Sequence, residues 1–303
     1  MSIVEKLGGV PGKQTIVETL GGISGYNVIS DVAESGGGSP DPEHTLIKTF
    51  FDGTLTDDIA AELLKKAKSV GNSVFNGCTS LESVTIPESI TELGYSAFSG
   101  CTNLKTVNMP GVKVIHAGCF TGCTALATIN IPNVEEIQGG SFGGNQALLN
   151  LDAPKLRSWP SGLGGNFKRI NFPLVTEING GGNGLSSVEQ LIIPSVITMS
   201  SALNSCASLK ELDLRRLKTA QGCFSGCNSL TTIIFEDIES IISSFGGDSN
   251  LVRVEIHNST PPTISSSFGG ANDLVIYVPA DSVETYQNAE GWSGFNIQAL
   301  EEE

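Results

Sequence analysis

The 303-residue chain has few charged and few aromatic side chains, and the sign of its charge restricts what it can bind. Charged residues make up 16% of the sequence and aromatic residues 6%. Lys and Arg number 17 against 32 Asp and Glu, which gives a formal net charge of −15. Binding to nucleic-acid phosphates or to an anionic lipid surface requires clustered Lys and Arg. The charge balance therefore argues against both kinds of partner.

The sequence also lacks the usual signals for export, membrane insertion and catalysis. Its N-terminus has no basic start followed by an apolar run, so we expect no secretory signal. No stretch approaches 18 apolar residues, so we expect no membrane insertion but a soluble protein made in a cytoplasm. The three histidines, His44, His116 and His257, belong to no recognisable catalytic motif. We expect no enzymatic activity and no cofactor, and a carbohydrate-active enzyme is the least favoured class.

What fills the chain instead is a repeated phrase of about 21 to 23 residues. Its clearest copy reads LESVTIP from Leu81 and continues as AFSGC from Ala97. Further copies begin at Leu104, Leu126, Leu148, Phe167, Val188, Leu209, Leu230 and Leu251, and an altered last copy contains Ile276 to Pro279. A period of this length predicts a solenoid, because one repeat cannot bury its apolar positions without its neighbours.

Each repeat contains the signature of one short strand. In Leu-x-x-Val-x-Ile-Pro the apolar residues alternate, and the proline that follows suits a strand end because it has no N–H to donate. Stacked repeats then place these strands in one parallel sheet. A phenylalanine recurs in the second half of the repeat and is predicted to form a column in the core, at Phe75, Phe98, Phe120, Phe142, Phe224, Phe245 and Phe268. The copies from Leu148 and Phe167 are rich in glycine and lack it, so a thinner back is expected there.

The seven cysteines follow the repeat as well. Five share one phase, and Cys119 and Cys223 share another; the five are Cys78, Cys101, Cys123, Cys206 and Cys227. Equivalent positions in stacked turns lie about 4.8 Å apart with parallel side chains. A disulfide needs Cβ atoms about 3.8 Å apart that face each other. We therefore expect buried, reduced thiols acting as small apolar spacers. The alternative is metal binding at the two Cys-x3-Cys pairs that Cys119 and Cys223 begin.

Composition divides the chain into four segments. Residues 1–34 form an N-terminal segment whose apolar stretches, Thr15 to Leu20 and Val28 to Ala33, suit helices or strands equally. Residues 35–45 have the composition of a linker. Residues 46–272 form the solenoid, with an amphipathic helical cap from Asp57 to about Lys68. Residues 273–303 form a C-terminal cap and acidic tail, with a helix after Val278 and with Trp292 and Phe295 sealing the last turn.

These phrases resemble the BspA-like class of bacterial leucine-rich repeats. The strand phrase, the Ala-Phe-x-x-Cys segment and the closing YVPADSVETYQNAEGWSGF agree with that class over about three quarters of the chain. The resemblance implies a right-handed α/β-type solenoid with a parallel sheet on its concave face, used for adhesion or recognition and not for catalysis. Many members carry a signal peptide, and in this respect we expect the chain to differ from them. The segments TIVETLGGISGYNVISDVAES and FFDGTLT also resemble stretches that precede such repeats in phage and prophage virion proteins.

Candidate binding residues lie at the outward positions of the predicted strands. Hydroxyl, amide and carboxylate groups on a rigid sheet suit hydrogen bonding to sugar hydroxyls, and outward apolar residues suit a protein contact. Simple solvation of exposed strand positions is the alternative. The candidate surface consists of Thr106, Asn108, Thr128, Asn130, Asn150, Asp152, Arg169, Asn171, Ile192 and Ile234.

The sequence thus favours a non-enzymatic structural protein with a receptor-binding surface. The preferred hypothesis is a phage virion component, such as a fibre, head-surface or tail-associated protein, made in the host cytoplasm and displayed on the virion surface. Residues 1–40 would bind other virion or assembly proteins, and the sheet face would bind a host-surface glycan or protein. An oligomer or larger assembly is expected. The alternative is a BspA-like adhesin on a bacterial cell surface.

Overall fold

The computed structural model describes residues 3–5, 15–17, 45–46, 56–67, 69–182, 185–248 and 250–301. The chain divides into two compact units, Met1–Leu148 and Leu149–Glu303. Each unit is a solenoid of short parallel strands, which confirms the predicted leucine-rich-repeat fold. No helix among the described residues is both long and apolar enough to cross a bilayer.

The first unit contains two parallel sheets. The main sheet is formed by the predicted strands β5 (Ser83–Thr85), β7 (Thr106–Asn108) and β9 (Thr128–Asn130), in that order. The second sheet is formed by β3 (Thr45–Leu46), β4 (Ser69–Val70), β6 (Glu92–Leu93), β8 (Val114–Ile115) and β10 (Glu136–Ile137). Every pairing within these two sheets is between neighbouring turns, as a solenoid requires.

The second unit is built in the same way. Its main strands form two sheets, one of β11 (Asn150–Asp152), β12 (Arg169–Asn171), β14 (Gln190–Ile192) and β16 (Glu211–Leu212), the other of β18 (Thr232–Phe235), β20 (Arg253–Ile256), β22 (Val275–Val278) and β23 (Asn296–Ala299). Its second sheet consists of β13 (Glu177–Asn179), β15 (Thr198–Ser200), β17 (Thr219–Gln221), β19 (Ser240–Ile242) and β21 (Thr263–Ser265).

Most repeats contain a second strand, which was not predicted from the sequence; the repeat from Leu148, which is fully described, has none. It is only two or three residues long, for example Glu92–Leu93 or Glu177–Asn179. A single buried residue at its centre or end, such as Leu93 or Ile178, cannot establish an alternating pattern. The strand forms because the neighbouring turn presents an equivalent segment in register.

The core of both units contains stacked phenylalanine rings, as the sequence predicts. In the first unit Phe75, Phe98, Phe120 and Phe142 are fully buried. Successive ring centroids lie 4.9, 5.5 and 5.8 Å apart with nearly parallel planes. In the second unit the centroids of Phe224, Phe245 and Phe268 are separated by 4.9 and 5.3 Å.

The backbone that carries these rings differs between the two units. In the first unit the phenylalanine comes five residues after the buried residue of the second strand, as Phe120 does after Ile115. In the second unit it comes four residues after, as Phe245 does after Ile241. The shorter segment places the ring-bearing residue in the left-handed region, with φ of 63°, 58° and 60° at Phe224, Phe245 and Phe268. Such a φ is uncommon for a bulky side chain.

The two glycine-rich repeats have a different back, and whether it is thinner stays a prediction. At these places the described residues bury Leu163 and Leu185 in place of phenylalanine. The half-buried indole of Trp159 meets the edge of the Phe172 ring at 5.7 Å. The side chains of Trp159, Leu163 and Leu185 surround a small hollow beside Gly182, whose backbone has a φ of 76°.

A helix covers part of the first unit. Helix α1 (Asp57–Lys66) begins at the expected residue and packs against β5 with Ala60 and Leu64 fully buried. The Asp57 carboxylate accepts hydrogen bonds from the backbone N–H of Glu82 at 2.8 Å and from the Ser83 hydroxyl at 2.6 Å. Asp57 therefore ties the helix to the first main strand.

The C-terminal helix begins where the sequence places it. A 3-10 turn (Ala280–Ser282) leads into α2 (Val283–Asn288), which packs against β23. The fully buried Trp292 donates from its indole N–H to the carbonyl of Pro262 at 2.9 Å, and the Tyr286 hydroxyl donates to the carbonyl of Asn258 at 3.0 Å. Phe295 is half-buried against the edge of the Phe268 ring.

The N-terminal segment is described only in part. Strand β1 (Ile3–Glu5) pairs with β2 (Thr15–Val17) in an antiparallel arrangement, so the first apolar stretch contains a strand. Val28 to Ala33 and residues 35–44 lie outside the described part. Thr45, assigned to the linker, belongs to β3 of the second sheet.

Candidate functional site

The candidate residues lie on the main sheets, at the positions whose side chains point away from the core. The central residue of most three-residue main strands, such as Val107, Leu151 or Ile170, is buried, and Ile129 in β9 is half-buried. We call the outward side chains of the first unit the first polar face: Ser83, Thr85, Thr106, Asn108, Thr128 and Asn130. We call those of the first three main strands of the second unit the second polar face: Asn150, Asp152, Arg169, Asn171, Gln190 and Ile192.

The first polar face is made of equivalent residues in register. Thr106 pairs with Thr128 and Asn108 with Asn130 on neighbouring strands. The amide Nδ2 of Asn130 donates to Oδ1 of Asn108 at 2.8 Å. Within the described chain the hydroxyls of Thr106 and Thr128 make no hydrogen bond to protein. The face therefore presents hydroxyl and amide groups, both donors and acceptors, to an external ligand.

The second polar face contains a charged network centred on Asp152. Its Oδ1 accepts from Nη1 of Arg169 at 2.7 Å and from Nδ2 of Asn171 at 2.9 Å. Arg169 also donates from Nε to Oε1 of Gln190 at 3.1 Å. Because these side chains hold one another, their polar groups are fixed in position across three strands. Binding a ligand to this network therefore costs less side-chain conformational entropy than binding it to side chains that are free to move.

The two apolar candidates, Ile192 and Ile234, point outward but are half-buried. The most exposed large apolar side chains are at other positions, which the sequence analysis did not select. Among the described residues these are Tyr95, Leu149, Leu174, Ile197 and Val252. Ile192 and Ile234 therefore expose less apolar surface for a protein contact than expected.

A second charged cluster lies on and beside the later main strands of the second unit, β18, β20 and β22. The guanidinium of Arg253 lies 3.9 Å from the centroid of the Tyr277 ring and donates from Nε to Oε1 of Glu255 at 2.6 Å. His257 lies 3.6 Å from both Glu255 and Glu236. The arginine therefore combines a cation–π contact with an ion pair.

The second sheet of the first unit carries a cluster that the sequence analysis missed. The Tyr95 ring, 49% exposed, stacks on the imidazole of His116 with 4.8 Å between centroids. Nδ1 of His116 lies 3.1 Å from Oε1 of Gln138, and its Nε2 lies 3.7 Å from a carboxylate oxygen of Glu92. The available signal was a tyrosine at a repeat position that otherwise holds Asn72, Ala117 and Gly139.

All seven cysteines are free and buried. Four thiols of the first phase point at carbonyls of the preceding turn, for example Cys101 at Phe75 with 2.9 Å and Cys123 at Phe98 with 3.0 Å. Burial raises the pKa of Cys119 to about 12, so the thiol stays protonated. In the described part of the chain no group of three or more His, Cys, Asp or Glu side chains is arranged to hold a metal ion.

Comparison with known proteins identifies relatives at the level of family and fold. The family model described as BspA type leucine-rich repeat region matches in six copies over residues 47–160 and 165–275. A leucine-rich repeat protein from Bacteroides ovatus is 19% identical, with a TM-score of 0.51 over 80% of this chain and 68% of its own. The leucine-rich repeat protein of T. pallidum is 24% identical, with a TM-score of 0.44 over 48% of this chain and 73% of its own. A search of curated proteins finds no match.

Proposed function

Because the chain belongs to the BspA-type leucine-rich-repeat family, we propose that it is a non-enzymatic recognition protein that binds surface carbohydrate through its polar faces. Proteins built from such repeats generally bind ligands through the repeat surface. One observation supports the proposal most directly: hydroxyl, amide and carboxylate side chains stand in register on adjacent strands, held by hydrogen bonds among themselves.

The chemistry of the faces suits sugars better than other ligands. The Asn108–Asn130 pair has an amide donor and an amide acceptor left for a ligand, and threonine hydroxyls flank it. Vicinal sugar hydroxyls need such mixed donors and acceptors. On the second polar face, Asp152 has a second carboxylate oxygen beside the Arg169 guanidinium, which extends the same chemistry with charge.

Binding to immobilised glycans tests this proposal. The full-length protein is expected to bind a subset of a glycan array, and Asn108→Ala, Asn130→Ala and Asn171→Ala each to weaken that binding by about five-fold, the loss of one or two hydrogen bonds. Asn76→Ala, an exposed asparagine of the first unit outside the polar faces, and Asn228→Ala in the second unit serve as matched controls. Equal binding by all five variants would show that the polar faces are not the site.

The proposal also states which particle displays this protein, which we call its carrier. We propose display on a phage virion through residues 1–40, with a bacterial cell surface as the alternative. The proposal is supported by the resemblance of residues 15–35 and 50–56 to segments that precede such repeats in virion proteins. The short strands Ile3–Glu5 and Thr15–Val17 pair only with each other among the described residues, and two short strands are marginally stable without further packing.

Deletion of residues 1–40 tests the carrier. The truncated protein is expected to keep the thermal transition of the repeats and to lose incorporation into the parent particle, measured by mass spectrometry of purified particles. The variants of the polar faces are expected to incorporate normally. Normal incorporation of the truncated protein would place the attachment site in the repeats and contradict the proposed role of residues 1–40.

A further inference from the structure

The exposed cluster on the second sheet of the first unit lies outside the two polar faces and has no part in the proposed carbohydrate binding. It consists of Tyr95, His116, Gln138, Glu92 and Glu136, and we call it the Tyr95 cluster. Its side chains come from three successive turns, on or immediately after β6, β8 and β10. Glu92 is 64% exposed, and Gln138 Nε2 donates to Oε1 of Glu136 at 3.0 Å.

We propose that the Tyr95 cluster binds an arginine side chain of a partner protein. The exposed ring of Tyr95 offers a π face to a cation. The Glu92 carboxylate lies 3.7 Å from the His116 ring on which Tyr95 stacks. Glu136 lies further along the same sheet, hydrogen-bonded to Gln138. A guanidinium is planar, so it can lie on an aromatic ring while its N–H groups donate to a carboxylate at the edge. A lysine ammonium is a more strongly hydrated point charge and uses this arrangement less well.

The described part of the second unit contains the complete arrangement. There Arg253 covers the Tyr277 ring at 3.9 Å and donates to Glu255 at 2.6 Å. The Tyr95 cluster has the ring and the carboxylates but lacks the arginine. Residues 1–148 contain no arginine; the five of this chain are Arg157, Arg169, Arg215, Arg216 and Arg253. The first unit therefore cannot supply the missing side chain.

The charge of the surroundings fits a cationic partner. Segments 91–95, 113–117 and 135–139 contain three glutamates, Glu92, Glu135 and Glu136, against one lysine, Lys113. The preceding turn places a neutral side chain beside Tyr95, because Oδ1 of Asn72 accepts a hydrogen bond from the Tyr95 backbone N–H at 2.9 Å.

Binding of short labelled peptides to the full-length protein tests the assignment. The probes are hexa-arginine, hexa-lysine and uncharged hexa-citrulline, measured by fluorescence anisotropy at low ionic strength. We expect the affinity order arginine, lysine, citrulline. Tyr95→Ala should lower hexa-arginine affinity by about five-fold and remove the preference over hexa-lysine, whereas Tyr95→Phe keeps the preference because the ring remains. Glu92→Gln should weaken binding of both cationic peptides.

The controls separate this site from general attraction to an acidic protein. Glu284→Gln makes the same charge change on exposed α2 and should leave both affinities unchanged. His116 is one of only three histidines, so the imidazole NMR signals report whether the peptide reaches the cluster. Equal affinity for hexa-arginine and hexa-lysine, an unaffected Tyr95→Ala variant, or an unmoved His116 signal at saturation would each overturn the proposal, as would Tyr95-dependent binding of neutral oligosaccharides alone. None of these outcomes depends on the polar faces.

Discussion

The carboxylate of Asp248 accepts a hydrogen bond at 2.6 Å from the backbone N–H of Cys227, one turn earlier. Asp248 is fully buried, and its second oxygen, Oδ2, has no partner among the described residues. It occupies the repeat position that holds cysteine in sister turns, and Asn145 occupies the same position in the first unit. A carboxylate here replaces a small apolar spacer, so its ionised form is costly.

We therefore predict that Asp248 makes the protein less stable as pH rises through about 6. Burial raises the pKa of Asp248 to about 6, above its ordinary value of 3.8. The folded state then holds the proton more tightly than the unfolded state, so the contribution to stability is full below pH 4 and is lost as pH rises through 6. Asp248→Asn should remove this dependence and stabilise the protein at pH 7.5 by up to about 3 kcal/mol.

The measurement is the difference in free energy of unfolding between wild type and Asp248→Asn across pH 4 to 7.5. This difference cancels the contributions of carboxyls such as Asp213, whose pKa is lowered by Arg215 and which act in the opposite direction. A difference that stays constant with pH would show that Asp248 does not titrate in this range.

Loss of one ring from the phenylalanine column should be costly. Phe120 is fully buried between Phe98 and Phe142, so Phe120→Ala removes buried area and leaves a cavity. We expect a loss of about 3–5 kcal/mol in denaturant unfolding. Tyr95→Ala, which removes an exposed ring from the same unit, should cost less than about 1 kcal/mol. A loss below about 1 kcal/mol for Phe120→Ala would exclude a role of this ring in the core.

Substitution by glycine should change the stability of the protein in opposite directions at two half-buried serines of one turn, Ser96 and Ser99. Ser96 has a φ of 53°, and Gly118 and Gly140 occupy its position in the next two turns with φ of 69° and 71°. Ser96→Gly should stabilise the protein by about 0.5–1 kcal/mol, because glycine adopts this conformation without a Cβ penalty. Ser99→Gly, at ordinary φ, should destabilise it by a similar amount. Melting temperatures that shift in the same direction for both variants would contradict this account.

All seven thiols should be reduced, and those of Cys78 and Cys119 should be unreactive while the protein is folded. Burial raises the pKa of Cys78 and of Cys119 to about 12, so little thiolate exists at neutral pH. Alkylation in denaturant without reductant should modify all seven cysteines, as read by intact mass. Two or more protected cysteines would reveal a disulfide and contradict the parallel arrangement of the thiols.

The main strands, the prolines that follow them and the phenylalanine column could be predicted because each repeats at a fixed period. The second strand could not, because one buried residue such as Leu93 carries no period. Asp57 was expected only to start a helix. Its hydrogen bonds to Glu82 and Ser83 join residues 25 and 26 positions apart, and only the packing of α1 on β5 brings them together.

The candidate surface was predictable in the same limited way. Alternation identified which side chains of β7 or β12 point outward, but not how they pair. The amide bond between Asn108 and Asn130 follows from register, and the bonds of Asp152 to Arg169 and Asn171 follow from side-chain reach. Tyr95 escaped notice because it occurs once, in a segment whose other copies hold small residues, and a unique residue contributes nothing to a repeat pattern.

The left-handed phenylalanines of the second unit have a consequence for how such a chain can evolve. Solenoids lengthen and shorten by duplication and loss of whole repeats, which requires that a copied turn match the neighbours it lands between. A turn from the first unit places its ring after five residues with an ordinary φ at the phenylalanine itself, whereas the turns around Phe245 place theirs after four with a φ near 60° at the phenylalanine. Inserted into the second unit, a turn from the first unit would have one residue too many before its phenylalanine, so its ring would not align with the phenylalanine column. Repeats should therefore recombine readily within a unit and poorly between units, and the lineage of each copy should be readable from this spacing.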